Sequence, residues 1–179
     1  MNEEQGAGMN ALWAPWRMEY ILGPKDGECF LCAAARSNDD RACRVVRRGE
    51  VCFALLNRYP YNNGHLMVAP YRHVRALAEM TPAERLELME LASDLVERLR
   101  ATIRPEGFNL GLNLGKVAGA GLESHLHLHI VPRWNGDTNF MPVLADTKVI
   151  PQALDELWAT LRGWPPDIGH AKARNSIRR

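Results

Sequence analysis

No stretch of this 179-residue chain is apolar for long enough to span a bilayer, and a net charge of +1 leaves no excess of either sign. The first absence excludes a helical membrane protein. The second removes the broad basic field that steers proteins onto nucleic acid, so neither a membrane nor a nucleic-acid partner is expected. Internal repeats and low-complexity tracts are missing, which excludes solenoids and arrays. With four cysteines, a disulfide framework is not expected. The opening "MNEEQGAGMN" is polar and acidic, unlike a secretory signal or an Arg-rich transit peptide, and a cytoplasmic location is expected. A hydrophobic content of 46% over this length suits one domain with short appendages.

Turn residues and periodicity divide the chain into three parts: an arm over 1–27, a main domain over 28–145, and a C-terminal helix with a basic tail over 146–179. In the arm, Trp13, Trp16 and Tyr20 are expected to fill a groove on the domain or on a partner subunit. "GECFLCAAARSND" reads as a knuckle turning into a short helix. "CRVVRRGEVCFALLNR" reads as a hairpin about Gly49, on which Arg44, Arg47 and Arg48 are expected to be solvated. Cys43 and Cys52 read as small apolar fillers. "HLMVAPYRH" is a strand ended by Pro70. The clearest helix opens at "TPAE", with Thr81 as N-cap, Pro82 at the first position and Glu84 closing a capping box. Leu88, Leu91, Leu95, Leu99 and Ile103 then recur at helical spacing, until Pro105 and Gly107 stop the run. Two alternating segments follow, "FNLGLNLG" and "HLHLHIVPRW", joined by the Gly-rich "GKVAGAGLES"; a last helix is expected from about 151 to 162. This order implies an α+β fold on an antiparallel sheet of about five strands, with one long helix and a C-terminal helix.

Histidine is scarce, with six in the chain, yet His125, His127 and His129 occupy alternate positions of one segment. In a strand they form a row on one face, while Leu126, Leu128 and Ile130 face a core. The outer two are ~13 Å apart at the backbone, too far to share one metal ion whose ligand bonds are ~2 Å. Three readings compete. The row is a polar half-exposed face; or His125 and His127 grip a metal, with Glu123 or Asp137 nearby; or a neutral imidazole attacks an electrophile while its neighbours position it. The glycines just upstream favour a phosphate as the target, because bare backbone N–H groups can approach its oxygens.

Cys29 and Cys32 form a C-x-x-C pair that is by itself a redox motif, half of a zinc site, or two buried thiols. A βαβ context for the redox reading is missing. Zinc needs two more ligands, and His73 in "PYRHV" is the obvious spare.

"HLHLHIVP" resembles the H-x-H-x-H-x-x pattern of the histidine triad nucleotide hydrolases and transferases. "FALLNRYPYNNGHLMVAPYRHV", "TPAE" and "LNLGKVAGAGLESHLHLHIVPR" extend the resemblance over about residues 28–134. "LWAPWRMEYI" and "PRWNGDTNFMP" resemble flanks of the branch that contains bacterial diadenosine-polyphosphate phosphorylases and related hydrolases. The resemblance implies the histidine triad fold and a homodimer. It implies cleavage of dinucleoside polyphosphates at the α-phosphorus through a covalent nucleotidyl-His127 intermediate, with phosphate or water as acceptor. His129 and His65 would orient that ring and help with protons. Asn57 would bind the ribose, Leu55 and Met67 would line the base pocket, and Asn113 would lie by the phosphates. The loop reads "AGAGLES" where many family members carry "GQ" or "GQS". Lys116, Ser124 or the backbone amides of Gly119 to Gly121 are therefore the candidate donors to the leaving group. In related chains with the cysteine pair, the pattern resembles a structural Zn²⁺ site of Cys29, Cys32, His73 and His125; no organic cofactor is implied. Trp134 would stack on a base or pack at a subunit seam, Arg133 would touch a phosphate or be an exposed strand-end arginine with no specific role, and Asp137, Asn139 and Phe140 would form a loop over the site. Two other functions remain: a nucleoside phosphoramidate or aminoacyl-adenylate hydrolase, and a non-catalytic nucleotide-binding module.

Overall fold

A computed structural model describes residues 28–137 and 153–163. The arm with its aromatics, Asn139, Phe140, and the tail with His170 lie outside the described residues. Helix α1 (Phe30–Arg36) is followed by the expected hairpin, β1 (Val45–Arg48) and β2 (Cys52–Leu56). Strand β3 (Leu66–Pro70), the long helix α2 (Pro82–Ile103), β4 (Gly107–Leu112), β5 (Leu128–Arg133) and helix α3 (Leu154–Arg162) complete the order. All pairings are antiparallel, and the sheet runs β1-β2-β3-β5-β4. The α+β class and the five strands match the expectation.

The period-two alternation of β2 and β3 decides what covers each face. Cys52, Ala54, Leu56, Leu66 and Val68 join Leu88, Leu91, Leu95 and Leu99 of α2 in the main core, together with Leu157 and Leu161 of α3. Phe53, Leu55, Met67 and Ala69 face the other way, against Leu31 and Ala34 of α1. Both central strands are therefore buried on every residue, which is why they read as near-continuous apolar runs. Among the described residues, no helix is long and apolar enough to cross a membrane.

Helix α2 begins as its sequence requires. Thr81 Oγ1 accepts a hydrogen bond from the Glu84 backbone N–H, and Glu84 accepts one from the Thr81 backbone N–H. Arg72 adds two bonds of 2.7 Å to the same carboxylate. These bonds hold the Glu84 carboxyl down to about 2, Arg72 first and Thr81 next, against an opposing effect of burial. Glu87, one turn on, accepts the backbone N–H groups of Glu50, Val51 and Cys52 at 2.6–2.7 Å and so fastens the hairpin turn to the helix. Cys52 lies beneath that turn as the expected filler, its thiol pushed up to about 12 by burial, then by Glu87 and Glu84.

The solvated hairpin expected for Arg44, Arg47 and Arg48 is not what forms; all three are partly buried. Arg48 folds under α1 and donates to the carbonyls of Ala34, Ala35 and Ser37 and to Asp40. It satisfies the last carbonyls of a short helix that lacks a glycine cap.

Candidate active site and metal centre

Strand β5 starts at Leu128, three residues later than the alternation suggests, because residues 121–125 bend before the chain enters the sheet. Inward and outward alternation persists through the bend: Leu126, Leu128 and Ile130 enter the main core. The histidines lie on the α1 side, where each meets different partners. His125 approaches the thiols of Cys29 and Cys32, whereas His127 and His129 line a cavity of about 440 Å³ between α1 and the sheet.

Hydrogen-bond chemistry fixes the protons on these rings. His125 Nε2 lies 2.9 Å from the Pro70 carbonyl oxygen, which can only accept, so Nε2 carries the hydrogen and Nδ1 presents its lone pair to the thiols. His127 is the reverse. Its Nδ1 donates to the His125 carbonyl at 2.8 Å, which leaves the lone pair of the neutral ring on Nε2. Burial pushes the His127 imidazole below the ordinary histidine value, with the His125 carbonyl opposing, so the neutral ring is favoured. His65 Nδ1 accepts from the Tyr61 backbone N–H at 3.0 Å. In a neutral His65 the hydrogen is then on Nε2, which donates to His129 Nδ1 at 2.9 Å and places the hydrogen of His129 on Nε2, beside Asn113. Tyr61 stacks on His65 with ring centroids 4.7 Å apart, and His127 meets His129 edge-on at 4.7 Å.

The turn that delivers His65 depends on Gly64. Its φ is +72°, and a Cβ there would lie 2.6 Å from Ile103 Cδ1. Asn57, at the end of β2, accepts from the Tyr59 backbone N–H at 2.9 Å and holds its amide nitrogen 3.4 Å from His65 Nδ1.

Most of the substrate-site residues expected from sequence converge on the cavity: Asn57, Leu55, Met67, Gly119 and Gly121 line it together with His127 and His129. Asn113 stands 3.4 Å from both His129 Nε2 and the Gly119 carbonyl oxygen. Ser124 and Lys116 are exposed and are not among the described residues that line the cavity. Arg133 is engaged by Asp137 at 2.5 and 3.0 Å and by Asn109, and Trp134 donates to the Arg104 carbonyl. Asp137 also accepts from Asn62, so its carboxylate closes the end of β5.

Cys29, Cys32, His73 and His125 form the second cluster, with ligand atoms all within 4.8 Å of one another. Cys32 Sγ is 3.1 Å from His73 Nδ1 and 3.5 Å from His125 Nδ1. Separations of this size suit the corners of a tetrahedron about one ion with ligand bonds of ~2.0–2.3 Å. Burial, followed by the neighbouring Cys29, pushes the Cys32 thiol up to about 11. Two thiols so placed resist joint ionisation unless a cation compensates them.

A model of the HIT domain matches residues 38–136. The chain belongs to the HIT domain family. An AP-4-A phosphorylase of Mycobacterium tuberculosis is 43% identical over 154 residues, covering 82% of this chain and 79% of that protein. Among solved structures, a hypothetical histidine triad nucleotide-binding protein from Sulfolobus tokodaii strain7 superposes with a TM-score of 0.59 at 26% identity, over 75% of this chain and 89% of its own. A Zn-bound histidine triad family protein from Mycobacterium smegmatis shares the fold with a TM-score of 0.61 at 24% identity, over 75% of this chain and 91% of its own.

Sequence reasoning missed several residues that shape the HIT site. Phe30, Ala33 and Ala34 of α1 form a wall of the cavity, and Arg44 lines it from the entry to β1. The signal available for α1 was its neighbourhood: Phe30 and Ala33 flank the metal-type cysteines in sequence, so anything that fixes Cys29 and Cys32 also fixes that wall.

Proposed function

We propose that this chain is a dinucleoside-polyphosphate phosphorylase that transfers a nucleotidyl group through His127 to inorganic phosphate. The observation that carries the reading is the bond from His127 Nδ1 to the His125 carbonyl, which commits one ring nitrogen and leaves the other, in the cavity, as the nucleophile. The 43% identity to an AP-4-A phosphorylase over most of both chains supports the substrate class and the acceptor.

In the first step the His127 Nε2 lone pair attacks the α-phosphorus. An N–P bond forms, the bond from phosphorus to the bridging oxygen breaks, and the electron pair leaves on the departing nucleoside triphosphate. The positive charge that develops on the ring is held by the Nδ1–H bond to His125. His129, oriented by His65, presents its Nε2–H toward the oxygens of the transferring phosphoryl group. In the second step an oxygen of inorganic phosphate attacks the same phosphorus, the N–P bond breaks, and a nucleoside diphosphate departs from a regenerated neutral His127. Asn57 is the ribose contact, Leu55 and Met67 hold the base, and Asn113 with the backbone of Gly119 and Gly121 faces the phosphates. Gly119 and Gly121 line the cavity and Ser124 is not among the described lining residues, so the glycine backbone supports the donor role better.

Cys29, Cys32, His73 and His125 are the ligands we assign to Zn²⁺. The bare Nδ1 of His125 aimed at two thiols fits that ion, and the Pro70 carbonyl on Nε2 supplies the outer-shell partner that a ligating histidine needs. The ion would supply structural cross-linking between α1 and the segment before β5. Thiolate ligands suit a reducing cytoplasm. The three-part division at 27 and 145 remains our domain reading. A homodimer is supported by edge strand β4, "GFNLGL", which carries no charged residue and leaves Leu110 exposed.

Incubating the protein with diadenosine tetraphosphate, with and without inorganic phosphate, tests the reaction. ADP and ATP formed only with phosphate is the expected result. AMP and ATP formed regardless of phosphate would replace the acceptor by water, and no turnover in either condition would refute the dinucleoside-polyphosphate reading and favour the phosphoramidate hydrolase or the non-catalytic module.

A further inference from the structure

Helix α1 serves two sites at once. Phe30, Ala33 and Ala34, spaced i, i+3 and i+4, wall the cavity, while Cys29 at the N-cap and Cys32 belong to the metal-type cluster. The helix has seven residues, fewer than the ~12–15 that an isolated helix needs, so its placement depends on its anchors. At its C-terminal end Arg48 donates to the carbonyls of Ala34, Ala35 and Ser37. Leu31 and Ala34 pack against Phe53, Leu55, Met67 and Ala69 of the sheet. The N-terminal turn is built differently, with no side-chain cap and no acidic residue. Glu28 pairs with Arg36, but both are exposed and both belong to the α1 segment. That turn meets the far side of the site through its cysteines: Cys29 Sγ lies 3.4 Å from His125 Nδ1, and Cys32 Sγ lies 3.1 Å from His73 Nδ1. The two histidines are themselves fixed from the sheet side. His125 Nε2 donates to the Pro70 carbonyl at 2.9 Å, and the Leu126 N–H donates to the Val74 carbonyl at 2.7 Å, joining the segments that carry them.

We infer that the Cys29, Cys32, His73 and His125 centre is coupled to nucleotide binding through α1. The chain with its metal holds a nucleotide more tightly than the chain without it, and a bound nucleotide tightens the metal by the same factor. The inference rests on the nucleotide and zinc readings given above. A ligand lodged between α1 and the sheet gains its contacts with Phe30 and Ala33 in full only when the N-terminal turn is already in place. Otherwise part of the binding energy goes into ordering that turn. The centre also reaches the opposite wall of the cavity, because the His125 carbonyl accepts the His127 Nδ1–H at 2.8 Å. One metal therefore ties together the apolar wall and the row of histidines that faces it. A metal that served stability alone would raise the melting temperature and leave the nucleotide affinity of the folded chain unchanged.

The test measures AMP binding by calorimetry, under reducing conditions, to the zinc-loaded full chain and to the same chain freed of metal by a chelator. Circular dichroism checks that the metal-free chain is folded. In parallel, competition with a chromogenic chelator gives the zinc affinity with and without saturating AMP. AMP is expected to bind the zinc-loaded chain at least about fivefold more tightly, and AMP is expected to raise the zinc affinity by the same factor. Equal AMP affinities in the two folded forms, or a zinc affinity indifferent to AMP, would overturn the inference alone. A zinc-loaded chain that binds no AMP would overturn it together with the nucleotide reading, and a chain that takes up no zinc would overturn it together with the metal assignment. Should the metal-free chain be unfolded, the cobalt(II)-loaded chain decides. AMP is expected to shift its visible ligand-field bands, and unchanged bands would refute the coupling.

Discussion

Replacing Glu84 by Gln perturbs a carboxylate that is 3% exposed and bonded to Arg72 and Thr81 at once. Its value of about 2, against a usual 4.5, amounts to roughly 3 kcal/mol at ~1.4 kcal/mol per pH unit. Arg72 is half in solvent, with 54% of its side chain exposed, so screening reduces the figure to about 2 kcal/mol. Because the folded-state value lies below the unfolded one, this stability is present in full above about pH 4.5 and is lost as the pH falls toward 2. Glu84→Gln is therefore expected to be about 2 kcal/mol less stable than the native chain at pH 7. The gap should narrow between pH 4.5 and 2 and close below that. Urea denaturation of both proteins in the presence of a chelator, at steps from pH 7 to pH 2.5, measures the gap without interference from metal release. A gap that is constant with pH would mean that glutamine disturbs packing rather than charge, and the ion-pair account would be wrong.

His127→Asn retains an N–H for the His125 carbonyl but has no nucleophilic nitrogen. It is expected to keep the native thermal midpoint while turnover of diadenosine tetraphosphate falls by roughly 10⁴-fold or more, as steady-state kinetics would show. Cys32→Ser removes one of the four ligands we assign to zinc. The native chain should hold one zinc per chain and lose thermal stability on chelation, by about 4 kcal/mol where free zinc had stood at a thousand times its Kd. The variant should hold little zinc and respond little to chelator; elemental analysis with melting curves decides it. A native chain that binds no zinc would remove the assignment.

What was readable from sequence is what depends on near neighbours. Thr81, Pro82 and Glu84 lie within one turn, so the capping box is written in four consecutive letters. Alternation placed Leu126, Leu128 and Ile130 in the core and the three histidines on the opposite side, although the strand itself begins at Leu128. The side-chain reach of long polar residues was not readable. Arg48 and Glu87 look like surface charges in any window, and only the fold brings Arg48 under α1 and Glu87 over a turn 37 residues away. Arg44 failed for the same reason: a basic residue near a hairpin is usually solvated, and no local motif announces either its partial burial or its left-handed backbone.

Glu87 carries a practical consequence. A tight turn between two strands at a protein surface is ordinarily the first place where a chain accepts a peptide tag or a fused domain. Here the turn's N–H groups at Glu50, Val51 and Cys52 are spent on one carboxylate of α2, and any Cβ at Gly49 would lie 2.5 Å from Glu87 Oε1. Lengthening this turn would strand a carboxylate over the helix and remove the contact that fastens the β1–β2 turn to α2. For anyone grafting a label onto this protein, the β1–β2 turn is a closed door despite its position between two surface-seeking strand ends.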